Sequence, residues 1–503
     1  MSKIDRRKFI ASAAASGAFT IIPRHVLGGT GYVPPSDKLT MAHIGVGTQG
    51  ISELGGLLAD PGIQIVAVCD PNTDSSDYVE WGKGGIRETI RKYIGNPTWR
   101  ESDNGCMGGR EVGREIVETY YANQRGGEKF KCAAYADFRE LLEKEKGLDA
   151  VKIMTPDHLH ATVSIAAMKK GLHVLMHKPI ANRMYEERLV IETARKTKLG
   201  THLLAYGSGE GNRRIAGMIK EGAIGKLREI HNWSNRPVWP QYTEIPEDRP
   251  PVPKGFDWDL WLGPALERPY HPHYTHTVFR GWYDFGGGSM ADMGIYSLLP
   301  VFNALELGAP VSAEAWASHT CKIVNQVSGP AKNDFSYPTA CTLRFKFAAV
   351  PDMPAVELFW YDGGMRPRMP EEIEADGVEV PIEGILFIGE KGIVMAGFNG
   401  QNPQLYAQGK KQPLWQPDPG ERDEWHRVPP TERNKPWFTA FKGGTQSPGS
   451  FLNTAAISDA VTLGTIALRT GKNVLFDSDN MKITNSAEAN KYMYREYRKG
   501  WEL

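Results

Sequence analysis

The chain has 503 residues, of which 41% are apolar, 23% charged and 10% aromatic. That is the composition of a globular protein with ample core and room for two to three domains. Its 59 basic and 59 acidic side chains cancel, so there is no basic field to grip a phosphate backbone, and the scarcity of long apolar runs argues against a membrane span. Nucleic acid and bilayer are poor partners for such a chain. Five cysteines (Cys69, Cys106, Cys132, Cys321 and Cys341) are too few and too scattered for a disulfide framework or a zinc ribbon.

Residues 1–29 read as an address rather than as fold. Asp5-Arg6-Arg7-Lys8-Phe9-Ile10 precedes a weakly apolar, alanine-rich run from Ala11 to Ile22 and then Pro23. This resembles a twin-arginine export signal, and the modest hydrophobicity suits that route better than an anchor. The plainer alternative is a basic start before a buried helix. With export, the expected location is periplasmic or otherwise outside the cytoplasm. Removing the leader leaves 54 basic against 58 acidic side chains, a mildly acidic mature chain.

Lys38 to Ile44 predicts a short strand running into Gly45-Val46-Gly47-Thr48-Gln49-Gly50, and Ile51, Leu54, Leu57 and Leu58 then fall on one helical face. A second strand, Ile63 to Cys69, ends at Asp70. The order strand, G-x-G-x-x-G, helix, strand, acid is the pattern of a dinucleotide site. Gly45 permits the tight turn, Gly47 lets the backbone approach a pyrophosphate, Gly50 allows close packing, and the helix N-terminus offers amide donors. Asp70 would accept both adenosine ribose hydroxyls and repel a 2′-phosphate, which favours NAD over NADP.

Residues 73–131 interrupt the alternation with a glycine- and charge-rich insertion, expected as a surface excursion near the adenosine end with some helix at Arg110 to Tyr121. The alternation then resumes with a helix from Asp137 to Lys146, a strand Ala150 to Met154 and the turn Thr155-Pro156-Asp157-His158-Leu159-His160. A helix to Lys170, a strand His173 to Met176 and His177-Lys178-Pro179 follow. Polar residues thus sit at the carboxyl ends of parallel strands, where ligands bind in such sheets.

The glycine turn, Thr155-Pro156-x-x-x-His160, Lys178-Pro179, Trp258-Asp259-Leu260-Trp261-Leu262-Gly263-Pro264 and Gly286 to Gly294 come in one order. Together they resemble the glucose-fructose oxidoreductase, inositol dehydrogenase and rhizopine-catabolism (Gfo/Idh/MocA) family over most of residues 38–300. The resemblance implies an α/β chain with a Rossmann NAD-binding domain (38–205) and a C-terminal α+β domain (206–503) carrying a large, mostly antiparallel sheet. It also implies homo-oligomerisation through that sheet. Gly45, Gly47, Thr48, Gln49, Gly50, Asp70, Thr155, Pro156, Asp157, His160 and Lys178 are the expected cofactor residues. Lys178, Asp292 and Tyr296 are the expected catalytic set.

Two departures from the family pattern matter: His177 stands where a glutamate is usual before Lys-Pro, and Tyr296 where a histidine is usual four residues after Asp292. A free phenol has a pKa near ~10, too high for efficient proton abstraction at neutral pH. A Lys178–Tyr296 couple, with Asp292 holding the lysine charged, is therefore the expected base. A buried Tyr296 bonded to a carbonyl, and a His177 that only buttresses the lysine loop, are the structural alternatives.

Between residues 228 and 283, flat aromatic faces and planar polar groups suggest a sugar-facing wall of Trp233, Arg236, Tyr274, Arg280 and Trp282. Trp258, Trp261 and Pro264 read instead as an interdomain packing knot. His271, His273 and His276 match no common ligand spacing, so no metal is expected. Further on, Cys341 to Phe347 alternates apolar and polar residues, and Ala355 to Tyr361 and Gly384 to Met395 continue the antiparallel pattern. Helix returns at Ala455 to Arg469, and Asp477 to Trp501 is expected to close back on the other domain.

The expected function is oxidation of a secondary hydroxyl of a sugar or glycoside, with ring C3 one candidate carbon, using NAD that stays bound and is recycled in place. A glycosidase working by transient oxidation and elimination, and a non-catalytic sugar-binding protein, are the competing readings.

Overall fold

A computed structural model describes residues 37–204, 210–331, 333–351, 353–412, 429–443 and 445–503. The export leader expected at residues 1–29 lies outside them. The first half alternates strand and helix: β1 (Leu39–Ile44), α1 (Thr48–Leu58), β2 (Ile63–Cys69), α2 (Gly85–Ile94), α3 (Arg110–Gln124) and β3 (Ala133–Tyr135), then α4 (Phe138–Lys144), β4 (Ala150–Ile153), α5 (His160–Lys169), β5 (His173–Met176), α6 (Met184–Thr197) and β6 (Thr201–Leu203). These six strands form one parallel sheet in the order β3-β2-β1-β4-β5-β6. The order reverses at β1/β4, so the loops after those strands open a crevice at their carboxyl ends. Both sheet faces are covered, in keeping with the mostly apolar, buried residues of β2 and β4.

The insertion is not the surface excursion that its composition suggested. In α2, Ile86, Ile90 and Ile94 recur every four residues and are buried, between glycines at both ends that take left-handed backbone. With Trp99, Met107, Val112, Ile116 and Tyr121 they build a second core against β1 and β2. The Tyr121 hydroxyl accepts the Ile65 amide at 3.0 Å.

The second half is built on a ten-stranded sheet. Its strands are β7 (Leu227–Trp233), β8 (Ser312–Ala317), β11 (Cys341–Phe347), β12 (Val356–Tyr361), β13 (Gly384–Gly389), β14 (Gly392–Gly397), β15 (Gln404–Ala407), β16 (Lys410–Gln412), β17 (Val474–Asp477) and β18 (Lys482–Ile483). A separate hairpin pairs β9 (Cys321–Val324) with β10 (Val327–Pro330). The order is β16-β15-β14-β13-β7-β12-β11-β8-β17-β18, and only the β7–β12 pair is parallel. The α/β fold expected from sequence, a Rossmann domain followed by a large, mostly antiparallel sheet, is therefore observed. Gly384 to Met395, expected to continue the antiparallel pattern, lies in the β13–β14 hairpin, where Glu390 and Lys391 turn the chain and bond back to Lys226 and Ile224.

Three helices join the halves. α7 (Ile295–Leu305) and α9 (Ala455–Thr470) pack on the large sheet, while α8 (Pro430–Phe441) returns to the Rossmann domain. There Trp437 and Phe441 are buried, and Phe441 stacks on His173 at 4.9 Å. The C-terminal tail also closes on the first half, as expected: Arg495 Nε meets Glu186 Oε1 at 2.5 Å with both side chains buried, and Trp501 packs on Phe138. Among the described residues no helix is long and apolar enough to cross a membrane.

Candidate active site

A cavity of about 240 Å³ runs along the crevice from the glycine turn to the start of α7. At its first end the turn is set by backbone. Gly45 has φ +98, and a Cβ there would lie 2.5 Å from the Met154 carbonyl; a Cβ on Gly50 would lie 2.2 Å from Gly45 O. Only glycine satisfies both positions. No side chain caps α1 and no acid sits in its first turn, so the amides of Thr48, Gln49 and Gly50 are left to face the cavity. An uncapped helix N-terminus behind a glycine turn fits a pyrophosphate.

Asp70, at the end of β2, lines this end. Its Oδ2 accepts the Val46 amide at 2.7 Å and its Oδ1 the Asn72 amide at 2.8 Å. Burial raises its pKa and those two amides oppose the rise. Oδ2 keeps a lone pair for a ribose hydroxyl, while Oδ1 also meets the Tyr78 hydroxyl at 3.5 Å. The residues present therefore fit NAD.

The opposite end is ionic. Lys178 Nζ meets Asp292 Oδ1 at 2.5 Å, Arg280 Nε meets the same oxygen at 3.1 Å, and Arg236 Nε lies 3.6 Å from Asp292 Oδ2. Burial alone would raise the Asp292 carboxyl, but Lys178, then Arg280 and Arg236, outweigh it and hold the group at about 2. Burial also lowers the Lys178 ammonium, against the pull of Asp292. Asp292 is therefore ionised at neutral pH, while burial favours the neutral lysine and Asp292 favours the charged one.

Asp292 sits in a π-helical turn, Met290–Gly294, that runs into α7. The wider turn changes the helical phase just where Asp292 and Tyr296 must both reach the cavity. Tyr296 does not form the couple with Lys178 that the sequence suggested. Lys178 Nζ lies over the face of its ring, 5.0 Å from the centroid, while its hydroxyl shares a 2.9 Å hydrogen bond with His177 Nε2. Burial pushes the Tyr296 phenol above its ordinary range. Burial, then Lys178, pulls the His177 imidazole well below 6.5, so it is neutral. The two residues that depart from the family pattern are hydrogen-bonded partners.

Other expected site residues divide. Gly47, Thr155, Pro156, Arg236 and Arg280 line the cavity with the residues already described. Asp157 and His160 stand behind it: Asp157 Oδ2 accepts the Gly287 amide at 2.9 Å, and His160 bridges the carbonyls of Pro179 (2.6 Å) and Thr155 (2.9 Å). They hold the loops rather than the ligand. Tyr274 and Trp282 are not on the sugar-facing wall. Both are buried in an aromatic cluster, their rings 4.8 Å apart, and Trp282 Nε1 donates to His273 O at 2.7 Å. Trp233 is buried in the core beneath the large sheet, donating to Pro381 O at 2.9 Å. Trp258 and Trp261 stack at 4.9 Å, and the Trp261 carbonyl meets His158 Nε2 at 2.9 Å, which is the packing knot expected.

The insertion contributes aromatic residues to the cavity that were not among the expected site residues. Tyr78 packs at a tilt against His276 with ring centroids 4.1 Å apart, His276 Nε2 lies 3.4 Å from Asp77 Oδ1, and Trp81, 58% exposed, lines the cavity. Neither residue belongs to a periodic pattern, so only their aromatic character amid glycines signalled them. Among the described residues no three His, Cys, Asp or Glu side chains gather as a metal site.

Residues 109–203 match the family model of the NAD-binding Rossmann fold of the Gfo/Idh/MocA oxidoreductases, and residues 223–342 match that of their C-terminal alpha/beta domain. Each half of the chain thus contains a stretch similar to the corresponding domain of the Gfo/Idh/MocA family. The chain is 33% identical over 116 residues to levoglucosan dehydrogenase of Pseudarthrobacter phenanthrenivorans, covering 21% of this chain and 28% of that one. It is 22% identical over 246 residues to a glycosyl hydrolase family 109 protein of Shewanella putrefaciens, 45% of each. The chain thus spans less than half the length of these curated relatives. A solved structure, levoglucosan dehydrogenase in complex with NADH and levoglucosan, shares the fold with a TM-score of 0.51 at 14% identity, over 87% of this chain and 99% of the other.

Proposed function

We propose that this protein is an exported NAD-dependent oxidoreductase of the Gfo/Idh/MocA family that oxidises a secondary hydroxyl of a sugar or glycoside. The observation that carries this reading is the Lys178–Asp292 ion pair beside Tyr296, in the same cavity as the glycine turn. Bound NAD supplies a two-electron acceptor for the carbinol carbon. Lys178, kept charged and oriented by Asp292, donates to the substrate oxygen. The phenol oxygen of Tyr296 takes the hydroxyl proton as its own proton moves to His177 Nε2, so neither residue becomes a free anion. The high phenol pKa disfavours a free phenolate, and burial with Lys178 keeps His177 a neutral acceptor that holds the proton only in transit.

The leader-like start and the compartment it implies favour NAD that is retained through turnover. The insertion supports retention, because it straps the nucleotide end: the Thr73 amide donates to Gly255 O at 2.9 Å, and Asp77 pairs with His276. Purified mature protein is expected to carry NAD and to convert sugars to keto products when a second sugar or ketone is present to reoxidise it. Protein that holds no NAD and needs a stoichiometric external supply would overturn this scheme. The second reading, a glycosidase working by transient oxidation, is favoured by the family 109 relatives. Following released aglycone and keto-sugar together by mass spectrometry separates the two.

A further inference from the structure

Three cations surround one carboxylate at the catalytic end, and the ion pairs do not exhaust them. Arg280 reaches Asp292 through Nε alone; its plane is fixed by stacking on Phe279 at 4.7 Å, and among the described residues its two Nη groups meet no acceptor. Arg236 Nη1 donates to Asn235 Oδ1 at 2.7 Å, while its buried Nε has no acceptor within hydrogen-bonding distance. The second acid nearby, Glu383, lies 3.9 Å from Arg236 and already accepts from Ser234 Oγ and the Asn235 amide. The side chains of Arg236 and Arg280 are only 22% and 13% exposed. Lys178, Arg236 and Arg280 thus face Asp292 and Glu383, with Asp157 set behind the wall on the Gly287 amide, and the wall keeps positive charge on unfilled, directional donors. The oxidised nicotinamide ring is itself cationic and would add to it.

A neutral sugar can offer hydroxyl oxygens to these donors but cannot offset their charge, and partly buried unpaired charge is costly. A planar carboxylate matches a guanidinium fork and supplies the missing charge. Resting on the reading of this cavity as a sugar site, we infer that the substrate is an acidic sugar whose carboxylate is held between Arg236 and Arg280. The carbinol to be oxidised then lies toward Lys178 and Tyr296, and the carboxylate acts as the handle that sets which carbon is presented.

The test is direct binding to NAD-loaded protein by calorimetry, with matched pairs of neutral aldoses and their uronates or aldonates in the gluco, galacto and manno series, and with sulfated monosaccharides as a further arm. The expected result is that at least one acid binds about 10- to 100-fold tighter than its neutral partner, the gain of a charge-assisted pair. That preference should collapse in Arg280→Gln and Arg236→Gln and be partly restored in Arg280→Lys, with thermal unfolding confirming that each variant folds. Equal or weaker binding of every acid, a preference that survives both glutamine variants, or a preference for sulfate esters alone overturns the inference. Binding is read without turnover. An arginine-dependent acid preference with no oxidation would leave this inference standing and remove the dehydrogenase reading, and oxidation of neutral sugars without preference would do the reverse.

Discussion

The two ends of the cleft are made of different materials. Among the described residues, the nucleotide end is lined by glycines, amides and aromatic rings with a single carboxylate, Asp70, and no lysine or arginine, whereas the catalytic end packs Lys178, Arg236, Arg280 and Asp292 into contact. One end is specified by the path of the backbone and the other by side-chain charge. Substitutions should therefore fail differently: a methyl group ruins the first, and a lost charge ruins the second.

The sharpest break of this contrast is Lys178→Met. It should lower kcat by about 10³-fold, in the range for a positioned electrostatic or acid–base group, while the purified protein keeps its NAD. Steady-state kinetics with quantified bound nucleotide checks both halves, and loss of NAD from this variant would dissolve the distinction between the ends. Gly50→Ala should do the converse. Its methyl would lie 2.2 Å from Gly45 O, so NAD affinity should drop on the order of 100-fold, or about 3 kcal/mol, read by isothermal titration with the sugar omitted. Tyr296→Phe removes the hydroxyl that meets His177. It should lower kcat by about 10- to 100-fold with KM little changed and flatten the pH–rate profile; normal turnover would remove Tyr296 from proton transfer.

Acid titration probes the ionic end through stability. Folding depresses the Asp292 pKa from the ordinary 3.8 to about 2, so between these values the unfolded chain binds more protons than the folded one. The stabilisation is fully present above about pH 4 and is lost as pH falls through about 2, amounting to about 2 kcal/mol. Denaturant unfolding at pH 5 and pH 2.5 should show a smaller difference for Asp292→Asn than for the parent chain. The smallest effect is expected of Trp81→Ala, at the exposed rim of the nucleotide end: a few-fold faster release of NAD in a dilution assay, with no change in melting temperature.

Much of the nucleotide end was legible in the chain. Strand β2 matches its expected span of Ile63 to Cys69, because glycine spacing and apolar periodicity are local properties. The catalytic end was legible in its residues but not in their pairing. Lys178, Asp292 and Tyr296 line one cavity as expected, yet the partner of the Tyr296 hydroxyl lies 119 positions away in sequence at His177, and no periodicity encodes that contact. The aromatic wall failed for a related reason. Trp233, Tyr274 and Trp282 look alike in composition to residues that face a sugar, and only burial separates a stacking platform from a core. Trp282 donates to His273 O and Trp233 to Pro381 O, so both polar handles are already satisfied within the protein. The α2 helix was obscured by the glycines around it, although its isoleucines keep a four-residue spacing.

The return of α8 to the Rossmann domain bears on how the chain can be made. Trp437, Ala440 and Phe441 complete a core whose other members, from Leu39 to Leu175, precede them by more than 250 residues. On a ribosome adding roughly 5 to 20 residues per second, that core stays open on one side for on the order of ten to fifty seconds after β5 emerges. The nucleotide half is first in order of synthesis but cannot be first to finish. A nascent chain halted before residue 430 would present an unsealed apolar face to chaperones, so commitment to the native state waits for nearly the whole polypeptide.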